Sequence, residues 1–324
     1  MKKFTFLFVT FIALFSGVVA LTFSISEQLA NYHSKKQQIA TELNFEERIM
    51  NAWEWVPFNT IGEEKVARWQ QLEKEASVLY EQAMWQGTLL ACIIVIFVIS
   101  NLLYYRKREH KLQISGLVMV FSAMSFLYLG LQSPFMELEA FNQDLEVKVP
   151  IDINPDEIPF MDELKDIPFI GEYAQQQHHY DLDQTFEGRM YYLYQNKSIL
   201  DLIKLLYTGG NFLVAILLIF FSIVFPLIKL FSSIIIFLNP HNKSAKKFVP
   251  IVVYMGKWSM PDVFVVSIFL AYFSTTNMNA GVDTASATLI GTYFFLSFVV
   301  LSILSGFILK KVVHHKSDST LDYI

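Results

Sequence analysis

One cysteine in 324 residues, Cys92, excludes an intrachain disulfide and a zinc ribbon and leaves little room for redox chemistry. It lies inside an apolar run, where a small thiol behaves as one more apolar residue. The common catalytic and nucleotide-binding patterns are also missing: the chain has no P-loop, no GxGxxG, no HExxH and no GxSxG. Histidines occur in pairs at His178–His179 and His314–His315, but adjacent side chains point apart on a helix or a strand. Neither pair reads as a metal site, and no cofactor is expected. Charge is scarce, at 17% of residues with a net −5, so there is no basic field to hold nucleic acid.

Hydrophobic length is what the chain has. Mean hydropathy is +0.38 and 53% of residues are hydrophobic. Six apolar runs, at 4–24, 86–105, 112–132, 210–238, 249–273 and 285–309, are long enough to cross the roughly 30 Å of a bilayer core. This composition predicts an all-α polytopic membrane protein with six transmembrane helices, an outer helical hairpin and a small outer β-sheet. The first run also has the basic start and small residues of a signal peptide, Val18 and Ala20 among them. Because it continues through "LTFSIS" without a break, we read it as an uncleaved signal anchor.

Orientation follows from the basic residues. The short segments "MKK", "YRKREHK", "NPHNKSAKK" and "KKVVHHK" are all basic, whereas the long loops are acidic. Residues 134–200 carry 14 Asp or Glu against 4 Lys or Arg, and residues 25–86 carry 10 against 6. The positive-inside rule therefore puts both termini in the cytoplasm and both long loops outside.

Between the first two runs, Val66, Trp69, Leu72, Ala76, Leu79 and Ala83 form one helical stripe that leads into the second run. Residues 25–86 thus read as a helical hairpin, with "VPFNTIG" as its turn through Pro57 and Gly62. Such a hairpin serves either as self-packed structure or as a sensor or docking stalk. In the second outer loop, "LEVKVPIDI" alternates like a strand and "GRMYYLYQNKS" is aromatic enough for a second. "NPDEIPFMDELKDIPF" between them reads as an acidic surface excursion. "SILDLIKLLYTGG" reads as a short amphipathic helix at the membrane face, ended by Gly209 and Gly210. Asn196-Lys197-Ser198 fits the glycosylation pattern, a short match that is common by chance.

Charges inside the apolar runs are the chemical signal. Lys229 follows Pro226 in the fourth run, nine residues before Leu238 and so about 13 Å from the cytoplasmic end. The fifth run holds Lys257 at about 12 Å and Asp262 at about 20 Å depth. A charge at such depth costs roughly 2.5–3.5 kcal/mol even on insertion scales, and pairing is the least costly way to keep it. Helices four and five are joined by a short loop, so Lys229 can reach Asp262. Ser259 shares the face of Asp262, whereas Lys257 points away and can snorkel towards the cytoplasm. The cluster reads as a structural ion pair or as a polar site for protons, ions or a lipid headgroup.

"KWSMPDVFVVSIF", with Trp258, Met260 and Pro261 around Asp262, resembles the signature of the paraquat-inducible protein A family of bacterial inner-membrane proteins. "FFSIVFPLIKLF" resembles the preceding helix of that family with its Pro226 and Lys229, and "SGLVMVFSAMSFLYLGLQSPFMEL" resembles its first helix. The resemblance covers about residues 112–310. It implies a module of four membrane helices with a small outer sheet, and partnership with MCE-type lipid-tunnel proteins that move lipids across the envelope. It also implies a polar network around Lys229 and Asp262 that serves as a proton path. Pro261, in the middle of the signature, and the lack of zinc ribbons depart from the family pattern.

We divide the chain accordingly. Residues 1–111 hold the anchor helix, hairpin and second span; 112–310 hold the module with its acidic insertion 134–205; 311–324 form a cytoplasmic tail. The function expected is a non-enzymatic membrane component of a lipid-transport or membrane-integrity system, with membrane lipids and an MCE-domain protein as partners. Alternatives are a proton- or ion-coupled small-molecule transporter with Asp262 as its coupling carboxylate, or a sensor using the hairpin. No internal repeat supports the first, and no output domain supports the second.

Overall fold

The computed structural model of the chain describes residues 2–51, 55, 60–104, 108–153, 178–239, 247–257 and 282–319. Helices α1 (Lys2–Glu42), α2 (Phe45–Met50), α3 (Thr60–Tyr104) and α4 (Arg108–Gln132) come first. Strands β1 (Met136–Ile153) and β2 (His178–Lys197) and helix α5 (Ile199–Thr208) follow. The fourth run is α6 (Phe212–Ile219), a π-turn (Phe220–Val224) and α7 (Phe225–Leu238) in succession. Helix α8 (Val249–Lys257), strand β3 (Asp283–Thr288) and helix α9 (Ile290–Ser319) complete the chain. The fold is mostly helical, with a small antiparallel sheet.

α1 and α3 are each one uninterrupted helix from the membrane run into the hairpin, and they pack along each other. The stripe read from the sequence is the contact surface: Trp69, Ala76 and Ala83 are buried, and Val66, Leu72 and Leu79 are half-buried. Ile25, Leu29, Tyr32 and Ile39 supply the α1 side. Gly62 does not lie in the turn as expected. α3 already begins at Thr60, because one glycine in the first turns of a 45-residue helix costs only about 1 kcal/mol. Pro57 lies outside the described residues.

The tip of the hairpin is seated on the sheet. Ile39, Leu43, Trp69 and Tyr191 form a second small core, and Tyr191 donates its backbone N–H to Leu43 O at 2.9 Å. β1 and β2 contain the two expected segments but do not pair them with each other: Leu145–Ile153 pairs with His178–Phe186, and Arg189–Lys197 pairs with Met136–Gln143, because both strands run further than expected. The sequence reading missed β3, which pairs antiparallel to Met136–Phe141 of β1. The last apolar run accordingly starts at Ile290 rather than at 285. The acidic excursion "NPDEIPFMDELKDIPF" lies outside the described residues. α5 is as read: Ser198 and Asp201 form a reciprocal capping box and Gly209 caps the end. Asn196 is only 2% exposed, so it does not present a glycosylation acceptor.

Two glycines fix the sheet to the membrane helices. A Cβ on Gly130 of α4 would come within 2.9 Å of Phe295 N, and one on Gly291 within 2.6 Å of Pro134 O. α4 and α9 therefore approach backbone to backbone where the sheet begins, and Leu289 donates to Phe135 O at 3.0 Å.

Five described helices are long and apolar enough to cross a membrane: Ile12–Glu42, Val66–Asn101, Leu112–Gln132, Phe212–Leu238 and Ile290–Val312. This is a membrane protein. Of the expected sixth span, 249–273, only α8 is described, and it packs beside α7. Cys92 lies on the exposed surface of α3, within its membrane-spanning stretch Val66–Asn101.

Candidate intramembrane polar site

Pro226 decides the local backbone of the fourth span. Proline has no N–H to donate to the carbonyl four residues earlier, and its ring crowds that carbonyl. The helix absorbs the misfit as a π-turn over Phe220–Val224, in which Phe225 donates its N–H to Phe220 O, five residues back. Such widened turns recur where a helix must re-aim side chains at a functional position.

Ser222 within the π-turn and Pro226, Lys229 and Ser233 after it are spaced by 4, 3 and 4, and all four are buried. Lys229 is 6% exposed. Its backbone oxygen accepts a hydrogen bond from Ser233 Oγ at 2.8 Å, a local bond that keeps the Ser233 hydroxyl satisfied in an apolar setting. Neighbouring helices add more hydroxyls. α4 contributes buried Ser115 and Ser122, and α9 contributes buried Ser302 and Ser305. Both helices pack against α7. Among the described residues, the hydroxyls of Ser115, Ser222 and Ser302 are buried without a hydrogen-bond partner. A buried hydroxyl in hydrocarbon is unfavourable unless it is bonded, so this interior is more polar than packing alone requires.

Lys229, singled out from the sequence, is buried, and Pro226 lies just after the π-turn; the sequence reading passes over the serines. Their 4–3–4 spacing with Lys229 was the available signal. Lys257 is the last residue of α8, and Trp258, Ser259, Met260, Pro261 and Asp262 lie outside the described residues. No group of three or more His, Cys, Asp or Glu able to hold a metal occurs among the described residues.

A second charged cluster joins the hairpin to the sheet. Glu137 and Glu139 stand two apart on β1 and so on one face. Tyr194 donates its hydroxyl to Glu137 Oε1 at 2.6 Å, and Lys36 Nζ lies 3.8 Å from Glu137 Oε1 and 3.8 Å from Glu73 Oε1. Arg189 donates to Glu139 Oε2 at 3.3 Å, and its guanidinium lies 4.7 Å from the Phe141 ring centre. Burial and the charge of Glu137 push the Glu139 carboxyl above its ordinary range, partly offset by Lys36 and Arg189. Burial likewise pushes the Tyr191 phenol up to about 12. Arg48, itself buried, lies 5.1 Å from the Trp69 ring and 5.7 Å from that of Phe186 and donates to Arg189 O at 3.3 Å. This cluster fastens two elements together.

Comparison with curated proteins and with solved structures returns no match for this chain. Residues 187–311, from the second half of β2 into α9 and with Lys229 between them, match the family model described as paraquat-inducible protein A, so this part of the chain is similar to that family, as its motifs suggested.

Proposed function

We propose that this chain is a non-enzymatic component of a bacterial envelope lipid-transport or membrane-integrity system, seated in the inner membrane with both termini in the cytoplasm. Its working element is an intramembrane polar site built on Lys229 and Asp262, with Ser259 beside it and Lys257 nearer the cytoplasm. The observation that carries this reading is the burial of Lys229 on a polar stripe inside an apolar helix, within the segment that matches the family. A lysine retained at that depth, preceded by a proline-driven π-turn, costs stability that plain packing would not ask for. Asp262 is the nearest acidic residue along the chain from α8, and their pairing would offset both charges. A carboxylate that changes charge gives the site a means to couple proton movement to lipid movement.

Membrane lipids and an MCE-domain protein of the envelope are the partners we propose. The test is complementation: a strain lacking the gene should lose resistance to detergent. The wild-type chain should restore it, whereas Lys229→Met or Asp262→Asn should not. Full restoration by both variants would remove the polar site from the function.

A further inference from the structure

On the sheet side of the membrane, the middle of α1, the end of α4 and the start of α5 border an open cleft of about 310 Å³. Its polar wall is made by Ser26 and His33 of α1, Gln132 of α4 and Asp201 of α5, with Ala30 and Leu200 among the apolar lining. Ser26 donates its hydroxyl to Gln132 Oε1 at 2.9 Å, which leaves the amide nitrogen of Gln132 as a donor. Asp201 Oδ2 is held by the backbone N–H of Ser198 at 3.0 Å and by its hydroxyl at 2.7 Å. The carboxylate is thereby fixed in place with its other oxygen available as an acceptor. Donors on one wall and a fixed carboxylate on the other complement a zwitterion, a phosphate together with an ammonium. A headgroup without an ammonium would bring its negative charge up to Asp201, and among the described residues no Lys or Arg lines the cleft to offset it.

The surface below the cleft is built for a hydrocarbon chain. One turn further into the membrane, Phe23 of α1 meets Tyr128 of α4 edge to face at 6.2 Å, and both rings are exposed, at 62% and 38%. Deeper still, Phe15 meets Phe121 at 5.1 Å. α1 and α4 run side by side, and the pairs Phe15–Phe121, Phe23–Tyr128 and Ser26–Gln132 keep a nearly constant offset. From Phe15 to Ser26 the seam is about 16 Å long, close to the hydrocarbon depth of one leaflet.

We propose that the cleft binds the phosphoethanolamine headgroup of a bilayer phospholipid, with one acyl chain along the seam between α1 and α4. The phosphate takes the donors of Gln132 and His33, and the ammonium takes Asp201. The parts of this site on α1 and α4 lie outside the segment matching the family model, whereas Asp201 lies within it. The lipid identity of the occupant rests on the reading that the chain handles envelope lipids.

The full chain in nanodiscs, labelled by a phosphatidylethanolamine carrying a photoreactive acyl chain and mapped by mass spectrometry, tests this. Labelling should concentrate on residues 15–33 of α1 and 121–132 of α4. Unlabelled phosphatidylethanolamine should displace it at least tenfold more effectively than phosphatidylglycerol, and free phosphoethanolamine should not displace it. Ala30→Trp, which fills the cleft from an exposed position, should reduce labelling at least tenfold. If that variant does not accumulate, Asp201→Asn keeps the helix-capping oxygen and should abolish the preference for ethanolamine over glycerol headgroups. Even labelling around the protein, equal displacement by phosphatidylglycerol, displacement by the free headgroup, or unchanged labelling of Ala30→Trp would each overturn the proposal. Labelling is read independently of complementation: a chain that binds no lipid here but supports detergent resistance leaves the transport reading standing, and the converse result counts against that reading alone.

Discussion

Phe225 donates its backbone N–H to the carbonyl of Phe220, five residues earlier, and Lys229 follows one turn after this widened turn. The extra residue turns everything before it by about 100° relative to the helix after it. Lys229 and Ser222 consequently share the buried side of a span whose two halves are out of phase.

Replacing Pro226 by alanine restores the missing donor and removes the reason for the π-turn. Pro226→Ala should accumulate in the membrane at least as well as the wild-type chain but support detergent resistance poorly. Undiminished resistance would mean that the widened turn has no role in the site.

The hairpin is held to the sheet by a few large contacts, so its attachment should be separable from membrane insertion. Trp69 lies in the small core with Ile39, Leu43 and Tyr191 and under the Arg48 guanidinium. Trp69→Ala should weaken that contact by about 3–5 kcal/mol. Limited proteolysis of spheroplasts, which expose the outer face, should then cut between α2 and α3 much faster than in the wild type, with the membrane helices intact. An unchanged cleavage rate would show that the hairpin stands by itself.

Acidity should tighten the same junction through Glu139. Its carboxyl is raised above the ordinary value of 4.5, so the folded state holds the proton more firmly than the unfolded chain does. The contribution of this group to stability is then highest below 4.5 and declines as pH rises through the raised folded value. Glu139→Gln should flatten the fall in thermal stability on the acidic side of neutrality. A pH profile parallel to that of the wild type would exclude Glu139 as its source.

Topology is open to a direct check. Reporter fusions after Leu138, within β1, and after Lys247, ahead of α8, should report outside and inside respectively. The reverse at either point would invert the proposed orientation.

How much of this was legible in the sequence depended on the strength of each local signal. The α1–α3 contact was legible because Val66 to Ala83 keep one helical spacing over five turns. Helix α5 was legible because Ser198 and Gly209 are the residues its two ends require. β3 was not: "DTASAT" is short and has no large apolar residue to alternate, and it becomes a strand because the edge of β1 stands beside it. Lys229 stood out as a charge in an apolar run, whereas Ser222, Ser302 and Ser115 did not, since a serine barely lowers the hydropathy of a span. Pro226 announced a disturbed helix, but the choice of a π-turn over a kink depends on how α4 and α9 pack around it.

The central claim is that the Lys229 site works by a carboxylate whose charge can change, and the variant that separates this from structural pairing is Lys229→Met/Asp262→Asn. Removing both charges should restore the stability lost in either single variant, because an uncharged pair is often as well tolerated as a buried ion pair. A site that acts by charge cannot be restored in this way. Complementation of the deletion strain under detergent stress, with membrane accumulation measured alongside, is the decisive measurement. The account predicts that the double variant accumulates and inserts like the wild type yet leaves the strain sensitive, while Lys257→Gln is nearly harmless. Full detergent resistance from an accumulated double variant would contradict it and return the two charges to a structural role.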